Sequence, residues 1–222
     1  MIARVEPDEQ IPEKFREIYS HLAGKLIQTH GAFEELMFLF GAKEVVNVLN
    51  ATAPAFFVRH ERLLVDSILL SLSRMTDEKS SGSGRNRQEN LTLGRLLELP
   101  DTQSQQLRQE LAKKWTKIRK TAEQLRPYRH KFLAHSDLAH HLSRSTKLGT
   151  NISIGLIKKL LEQISDFLNT FDYFFTRIET TYRAPASYGD ASDLIAYLNL
   201  AIDTENKTKG EILKAVGKAP AT

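Results

Sequence analysis

Cysteine is absent from this 222-residue chain, which excludes disulfides, thiol nucleophiles and cysteine-ligated zinc and fits a reducing environment. No apolar run approaches the roughly 20 residues needed to cross a bilayer. The N-terminus, Met1-Ile2-Ala3-Arg4-Val5-Glu6-Pro7, lacks the basic-then-apolar pattern of a signal peptide. A cytoplasmic location without membrane contact is the expectation. Strand-like alternation is scarce too, Ile152 to Ile154 being the one short candidate, and no repeat of fixed period occurs. What remains is a chain with 41 % hydrophobic residues, too apolar to be wholly disordered and of a length that suits one elaborated domain.

Charge is small in total and uneven in placement. The formal net charge is +4. Between Leu111 and Lys131, however, Lys113, Lys114, Lys117, Arg119, Lys120, Arg126, Arg129 and Lys131 face the single acid Glu123, a local +7, so the rest of the chain sums to −3. Such a window attracts a polyanion, or it is simply a solvated lysine-rich face.

Apolar residues recur at three- and four-residue spacing over most of the chain. Phe15, Ile18, Tyr19, Leu22 and Leu26 predict a helix from Pro12 that ends near Gly31. A weaker one covers Ala32 to Leu49, interrupted by Gly41, and Pro54 closes the region. Phe56 to Met75 reads as a central helix through Leu64, Ile68, Leu72 and Met75. Its polar stripe of Arg59, Arg62, Asp66, Ser73 and Asp77 is expected to face solvent. Glu78 to Asn90 contains no apolar residue and is expected to be a mobile loop. Asn90 or Thr92 can cap a short helix stopped at Pro100. Asp101 can cap the next, through Leu107, Leu111, Trp115, Ile118, Ala122 and Leu125, which breaks at Pro127. The last long pattern runs from Ile157 through Phe167, Phe171 and Phe175 to Tyr182. Ala184 to Gly189 is a linker, followed by a short helix capped by Asp190 or Ser192. The fold expected is all-α, an antiparallel helical bundle in which the Phe-rich helix and the Phe56 to Met75 helix are central.

Just past Pro127 stands Tyr128-Arg129-His130-Lys131-Phe132-Leu133-Ala134-His135-Ser136-Asp137. An arginine offers phosphate a planar fork, and a histidine titrates near neutrality, so the two suit phosphate chemistry without a metal. Spacing alone decides nothing. With 15 arginines, three permitted spacings and seven histidines, roughly 1.4 chance matches to Arg-x(4–6)-His are expected, and there are two, Arg129 to His135 and Arg16 to His21. Context separates them: Arg16 to His21 lies in an ordinary amphipathic helix, whereas Arg129 follows a proline break, adjoins the basic window and precedes His130. A zinc site of His135, Asp137, His140 and His141 can be drawn, but one helix cannot bring all four to tetrahedral positions. His135 can equally be a satisfied core histidine, and Arg129 can pair with Asp66 or Asp77 as a structural ion pair.

This decapeptide resembles the signature of HEPN domains, in which arginine is followed by Asn, Asp or His and, a few residues on, by a histidine. The similarity is to the AbiU-like branch, named for phage abortive infection. Leu72-Ser73-Arg74-Met75-Thr76-Asp77 and Asn90-Leu91-Thr92-Leu93-Gly94-Arg95-Leu96-Leu97 support it, and it extends from about Pro12 to Tyr182. The resemblance implies a HEPN-like bundle over residues 1–183, with extra N- and C-terminal helices and a C-terminal linker, short helix and tail at 184–222. It further implies a homodimeric endoribonuclease needing neither metal nor other cofactor. His135 would move protons, Arg129 would hold the scissile phosphate, and His130 would orient both. The 2′-hydroxyl of RNA would attack, leaving a 2′,3′-cyclic phosphate and a 5′-hydroxyl. Lys117, Lys120, Arg126 and Lys131 would contact RNA, and Asp137, Asp66 and Asp77 would support the site. On a helix Arg129 and His135 stand about 120° apart around the axis and roughly 9 Å along it, so convergence on one phosphate would need the long arginine reach, a helix end, or a second subunit related by a two-fold axis, which the geometry permits without requiring. Two alternatives stand beside this reading: a non-catalytic dimeric module that binds RNA or a partner protein, and a toxin neutralised by a cognate antitoxin protein, acting on Tyr128 or a neighbour.

Overall fold

The computed structural model describes residues 11–82, 84, 87–99, 101–126, 152–183 and 190–215, with 101–104, 213 and 214 described by backbone alone. It is an all-α helical bundle. Among the described residues its helices are α1 (Glu13–Phe40), α2 (Lys43–Thr52), α3 (Pro54–Thr76), α4 (Asp101–Ala122), α5 (Ile154–Thr176) and α6 (Ala191–Ala215), with 3₁₀ turns at Leu93–Glu98 and Glu123–Leu125. The chain divides into two compact units, Met1–Gly31 with Asp66–Ala184 and Ala32–Val65 with Pro185–Thr222.

In the first unit α5 is the pillar. Leu156, Ile157, Leu160, Leu161, Ile164, Phe167, Leu168, Phe171 and Phe175 are buried, an apolar residue returning to one side at every turn. Trp115 of α4 meets Phe167 with ring centroids 6.5 Å apart. Lys114 pairs with Asp166 at 2.5 Å. Leu107 and Phe174 line one groove, so α4 and α5 run antiparallel. The start of α1 crosses the same pillar, Tyr19 stacking on Phe171 at 5.5 Å and His30 Nε2 lying 3.1 Å from Ser165 Oγ. Ser153 caps α5 by accepting from the Leu156 N–H at 3.1 Å. Arg177 ends it in the left-handed region, φ 60°, where its guanidinium lies 5.7 Å from the Tyr173 ring centroid.

The second unit has a smaller core of Leu39, Leu49, Phe57 and Ile195, with Phe40, Val45, Val48, Ala191 and Leu198 packed around it. Glu35 and His60 are 2.9 Å apart at its edge. Asp190 caps α6, its Oδ1 accepting from the Ser192 N–H at 2.8 Å.

Several expectations are corrected. α1 does not end at Gly31 but continues to Phe40, because a glycine inside a helix costs only about 1 kcal/mol, and the break falls at Gly41. A Cβ there would sit 2.3 Å from the Met37 carbonyl oxygen. Pro54 opens α3 rather than closing the preceding region, since proline is suited to a first helical position. Thr92 occupies a cap position with no side-chain cap hydrogen bond. The Glu78 to Asn90 stretch contains an antiparallel pair, Ser80–Ser81 with Gln88–Glu89, and Gly82 and Gly84 take positive φ of 78° and 58°, a region glycine enters without penalty. Ile152 to Ile154 is not a strand, for Ile154 is the first residue of α5. That helix stops at Thr176, short of Tyr182, while α6 spans 25 residues and is not short.

Candidate functional site

Where α3 ends, the chain turns into the hairpin, and α4 tightens into its terminal 3₁₀ turn beside it. The ends of these elements enclose a recess of about 330 Å³, lined among others by Asp77, Glu78, Asn90, Arg119, Glu123 and Arg126. The hairpin wall is held from behind. Arg95 donates from Nη2 to the Lys79 carbonyl at 2.5 Å and from Nε to the Asn90 carbonyl at 3.2 Å. Glu98 braces the same point, 3.0 Å from Lys79 and 3.6 Å from Arg95. Burial pushes the Glu98 carboxyl upward, but Lys79 and Arg95 outweigh it and hold the group below the usual carboxylate value.

Inside the recess Arg119 donates to Glu78 Oε1 at 2.5 Å. Asn90 bridges the hairpin, donating from Nδ2 to the Glu78 carbonyl at 3.0 Å and accepting from Ser81 Oγ at 3.3 Å. Ser73 lies buried at the base, which corrects its expected solvent exposure. Leu69, one turn earlier on the same side of α3, is buried as well. A second recess of about 340 Å³ shares Asp77 and Asn90 with the first and is lined also by His21, Lys25, Arg74 and Glu89. His21 of the rejected arginine-histidine match therefore stands beside two cations, while Arg16 is directed away, to the Ile11 carbonyl at 3.3 Å.

The candidate residues divide accordingly. Arg129, His130, Lys131, His135 and Asp137 lie outside the described residues. Arg126, exposed on the rim of the first recess, precedes Arg129 by three positions. Asp77 lines both recesses, whereas Asp66, half-buried three turns earlier on α3, lines neither. Lys117 and Lys120 are exposed on α4 and, with Lys113, fall within one 100° stripe of that helix. The basic window is less available than its sum suggests, because Lys114 is taken by Asp166 and Arg119 by Glu78. Glu78, Asn90 and Arg119 were not among the sequence candidates. Asn90 had one signal, its place in the second upstream segment of the resemblance, whereas Glu78 and Arg119 stand in neither segment.

Among the described residues no group of three His, Asp or Glu side chains could hold a metal ion, and no helix is long and apolar enough to cross a membrane. No curated protein and no solved structure matches the chain. The AbiU2 family model of the HEPN group matches it over residues 12–191.

Proposed function

Because the chain belongs to the AbiU2 family of HEPN proteins, we propose that it is a metal-independent endoribonuclease of an abortive-infection or toxin–antitoxin system. Two copies each contribute Arg129, His130 and His135 to one composite site. The observation that carries this is the family match across residues 12–191, which includes the Tyr128 to Asp137 motif. Arg126 on the recess rim and the exposed Lys117 and Lys120 support an RNA approach to that motif from α4. In the reaction, the 2′-hydroxyl attacks the adjacent phosphorus as His135 of one protomer removes its proton. The corresponding histidine of the second protomer protonates the departing 5′-oxygen, and Arg129 offsets the charge growing on the phosphoryl oxygens. Lys131 contacts the strand, and Asp137 and Asp77 hold the cationic side chains in place.

The test compares purified protein with its His135→Ala and Arg129→Ala variants on mixed RNA in chelator. Wild type is expected to yield cyclic-phosphate ends, and each variant to lose cleavage by 100-fold or more, the usual worth of a positioned acid–base group, with an unchanged circular dichroism spectrum. Equal cleavage by wild type and His135→Ala rejects the reading. RNA that binds with a steep salt dependence yet stays intact instead supports a non-catalytic RNA-binding module. Sedimentation analysis of wild type decides the dimer.

A further inference from the structure

The second recess, of about 340 Å³, is built by α1, the end of α3 and the hairpin. His21 and Lys25 stand one turn apart on α1 and so share a face. Arg74 comes from the last turn of α3. Leu22 and Met75 line the same recess and are almost fully buried, which gives the three basic groups an apolar floor. Over such a floor a charge is screened less than in open water, so its field reaches further into the recess.

Two acids line the recess as well, but neither serves these groups. Glu89 lies 3.5 Å from Arg95, and Asp77 is engaged in an interaction of its own. Among the described residues the side chains of His21, Lys25 and Arg74 take no hydrogen bond or ion pair. Lysine and arginine present N–H donors alone, with no lone pair between them, and a neutral histidine still donates from one ring nitrogen. The recess therefore gathers donors and positive charge that the described protein leaves unmatched.

We infer that this recess holds a backbone phosphate of the RNA strand, an inference that rests on the RNA-directed reading above. A phosphate brings negative charge and acceptor oxygens, the complement of this set. A guanidinium can meet two of its oxygens at once, and an ammonium adds a point charge. The neighbouring recess favours a strand over a lone small anion. Asp77 and Asn90 line both recesses, so the two share a wall, and on the far side of it Arg126 is likewise without an ion pair among the described residues. A strand laid across the base of the hairpin meets cations on both sides of that wall, whereas a single small anion fills one recess. Arg126 in turn precedes Arg129 by three positions, so a strand held at α1 and α3 is led toward the motif.

The experiment measures binding, independently of cleavage. A fluorescent 2′-O-methyl oligouridine, which lacks the nucleophile, is titrated with the full chain in chelator at several salt concentrations and read by anisotropy. Lys25→Ala with Arg74→Ala should weaken binding about tenfold near 0.1 M salt. The slope of log affinity against log salt should fall by about 1.4, two counterions at about 0.7 each for a single strand. Arg74→Ala alone, on an exposed position, should give about half that change in slope. Lys14→Ala with Arg16→Ala removes the same charge from exposed positions of α1 outside the recess and should alter affinity less than twofold. Circular dichroism checks every variant. Equal affinity of wild type and the recess variants, an equal loss in both double variants, or no binding by wild type overturns the inference. Inorganic phosphate is the second probe. If it shifts the His21 ring signals of wild type while RNA affinity is indifferent to Lys25 and Arg74, the recess takes a free anion and the inference also fails. A loss confined to the recess variants, with no cleavage of natural RNA by wild type, removes the nuclease reading and leaves this one standing. Cleavage that His135→Ala abolishes, with equal affinities throughout, does the reverse.

Discussion

α5 and α6 are nearly equal in length, 23 and 25 residues, yet ten residues of α5 are buried whereas Ile195 is the buried one among the described side chains of α6. Both contain large apolar residues. In α5 they return to one side at each turn and meet α1 and α4. In α6, Ile195 and Leu198 face α2, while Leu194, Tyr197, Leu200 and Ile212 stand exposed on other sides. Apolar content therefore does not decide how firmly a helix is held; alignment of that content with a partner does. The consequence for function is that the recess and the basic face of α4 rest on the better-anchored helix.

The largest expected effect is on α5. Phe167→Ala removes a fully buried ring that packs on Trp115 and should cost about 3–5 kcal/mol, read as a lower denaturant midpoint. Ile195→Ala in α6 should cost about 2 kcal/mol, at the low end for such a truncation because the residue retains 9 % exposure. Hydrogen exchange should then quicken in α2 and α6. An equal cost for the two substitutions would break the comparison.

Capping sharpens it. Ser153 and Asp190 serve their helices by the same geometry, each accepting from backbone N–H groups of the first turn. Ser153→Ala and Asp190→Ala should each remove about 1 kcal/mol from helix formation. The first should appear in global stability, because α5 is part of the main core. The second should appear mainly as lost helical signal from a helix with little packing to share the cost.

A polar clasp on α1 gives the next effect down. Tyr19 and Tyr182 hydroxyls lie 3.0 Å apart, and Thr180 donates to Asp172 Oδ2 at 3.1 Å beneath them. Burial pushes both phenols above their ordinary value of 10. A raised folded-state value means that stability is fully present below the unfolded pKa, near 10, and is lost as pH rises beyond it. Tyr182→Phe should cost about 1 kcal/mol at neutral pH and flatten that alkaline loss, measured by urea unfolding from pH 8 upward.

How much of this was legible beforehand depends on which interactions decide each feature. The pillar α5 was readable because Ile157, Leu160, Ile164, Phe167 and Phe171 carry its period in plain residues. The full length of α6 was not, since the polar run after Ile202 is helical through local bonds that leave no hydrophobic trace. Thr204 and Thr208 bond back to the Leu200 and Thr204 carbonyls, and Lys209 pairs with Glu205 at 2.6 Å. The hairpin was hidden for a similar reason: four polar residues and two positive-φ glycines make it, with no alternating apolar side. In the recess, Asp77 was visible as part of a polar stripe. Arg119 and Glu78 were invisible as partners, because 41 residues separate them and tertiary packing alone unites them. Arg129 and His135 were singled out by resemblance after their spacing proved no better than chance.

The smallest effect probes the polar ties behind the hairpin wall, where Glu98 sits between Lys79 and Arg95. Its folded-state carboxyl is held below the usual value despite the opposing push of burial. Protons therefore bind the unfolded chain more readily, and the stabilisation is present above about pH 4.5, the unfolded value, and is lost as pH falls through the lower folded value. The side chain is 32 % exposed, so solvent and salt screen the pair and its worth is no more than a few tenths of a kcal/mol. Glu98→Gln should thus lower stability slightly at pH 7, leave it unchanged near pH 3, and lose even the neutral-pH difference in about 1 M salt. What should change more is local: amide exchange at Lys79 to Asn90 should quicken in the variant, because Glu98 braces the residues that hold the hairpin. A global cost above about 1 kcal/mol would place this polar tie level with the helix caps, and the ranking of apolar pillar over polar wall would have to be reversed at that end of the molecule.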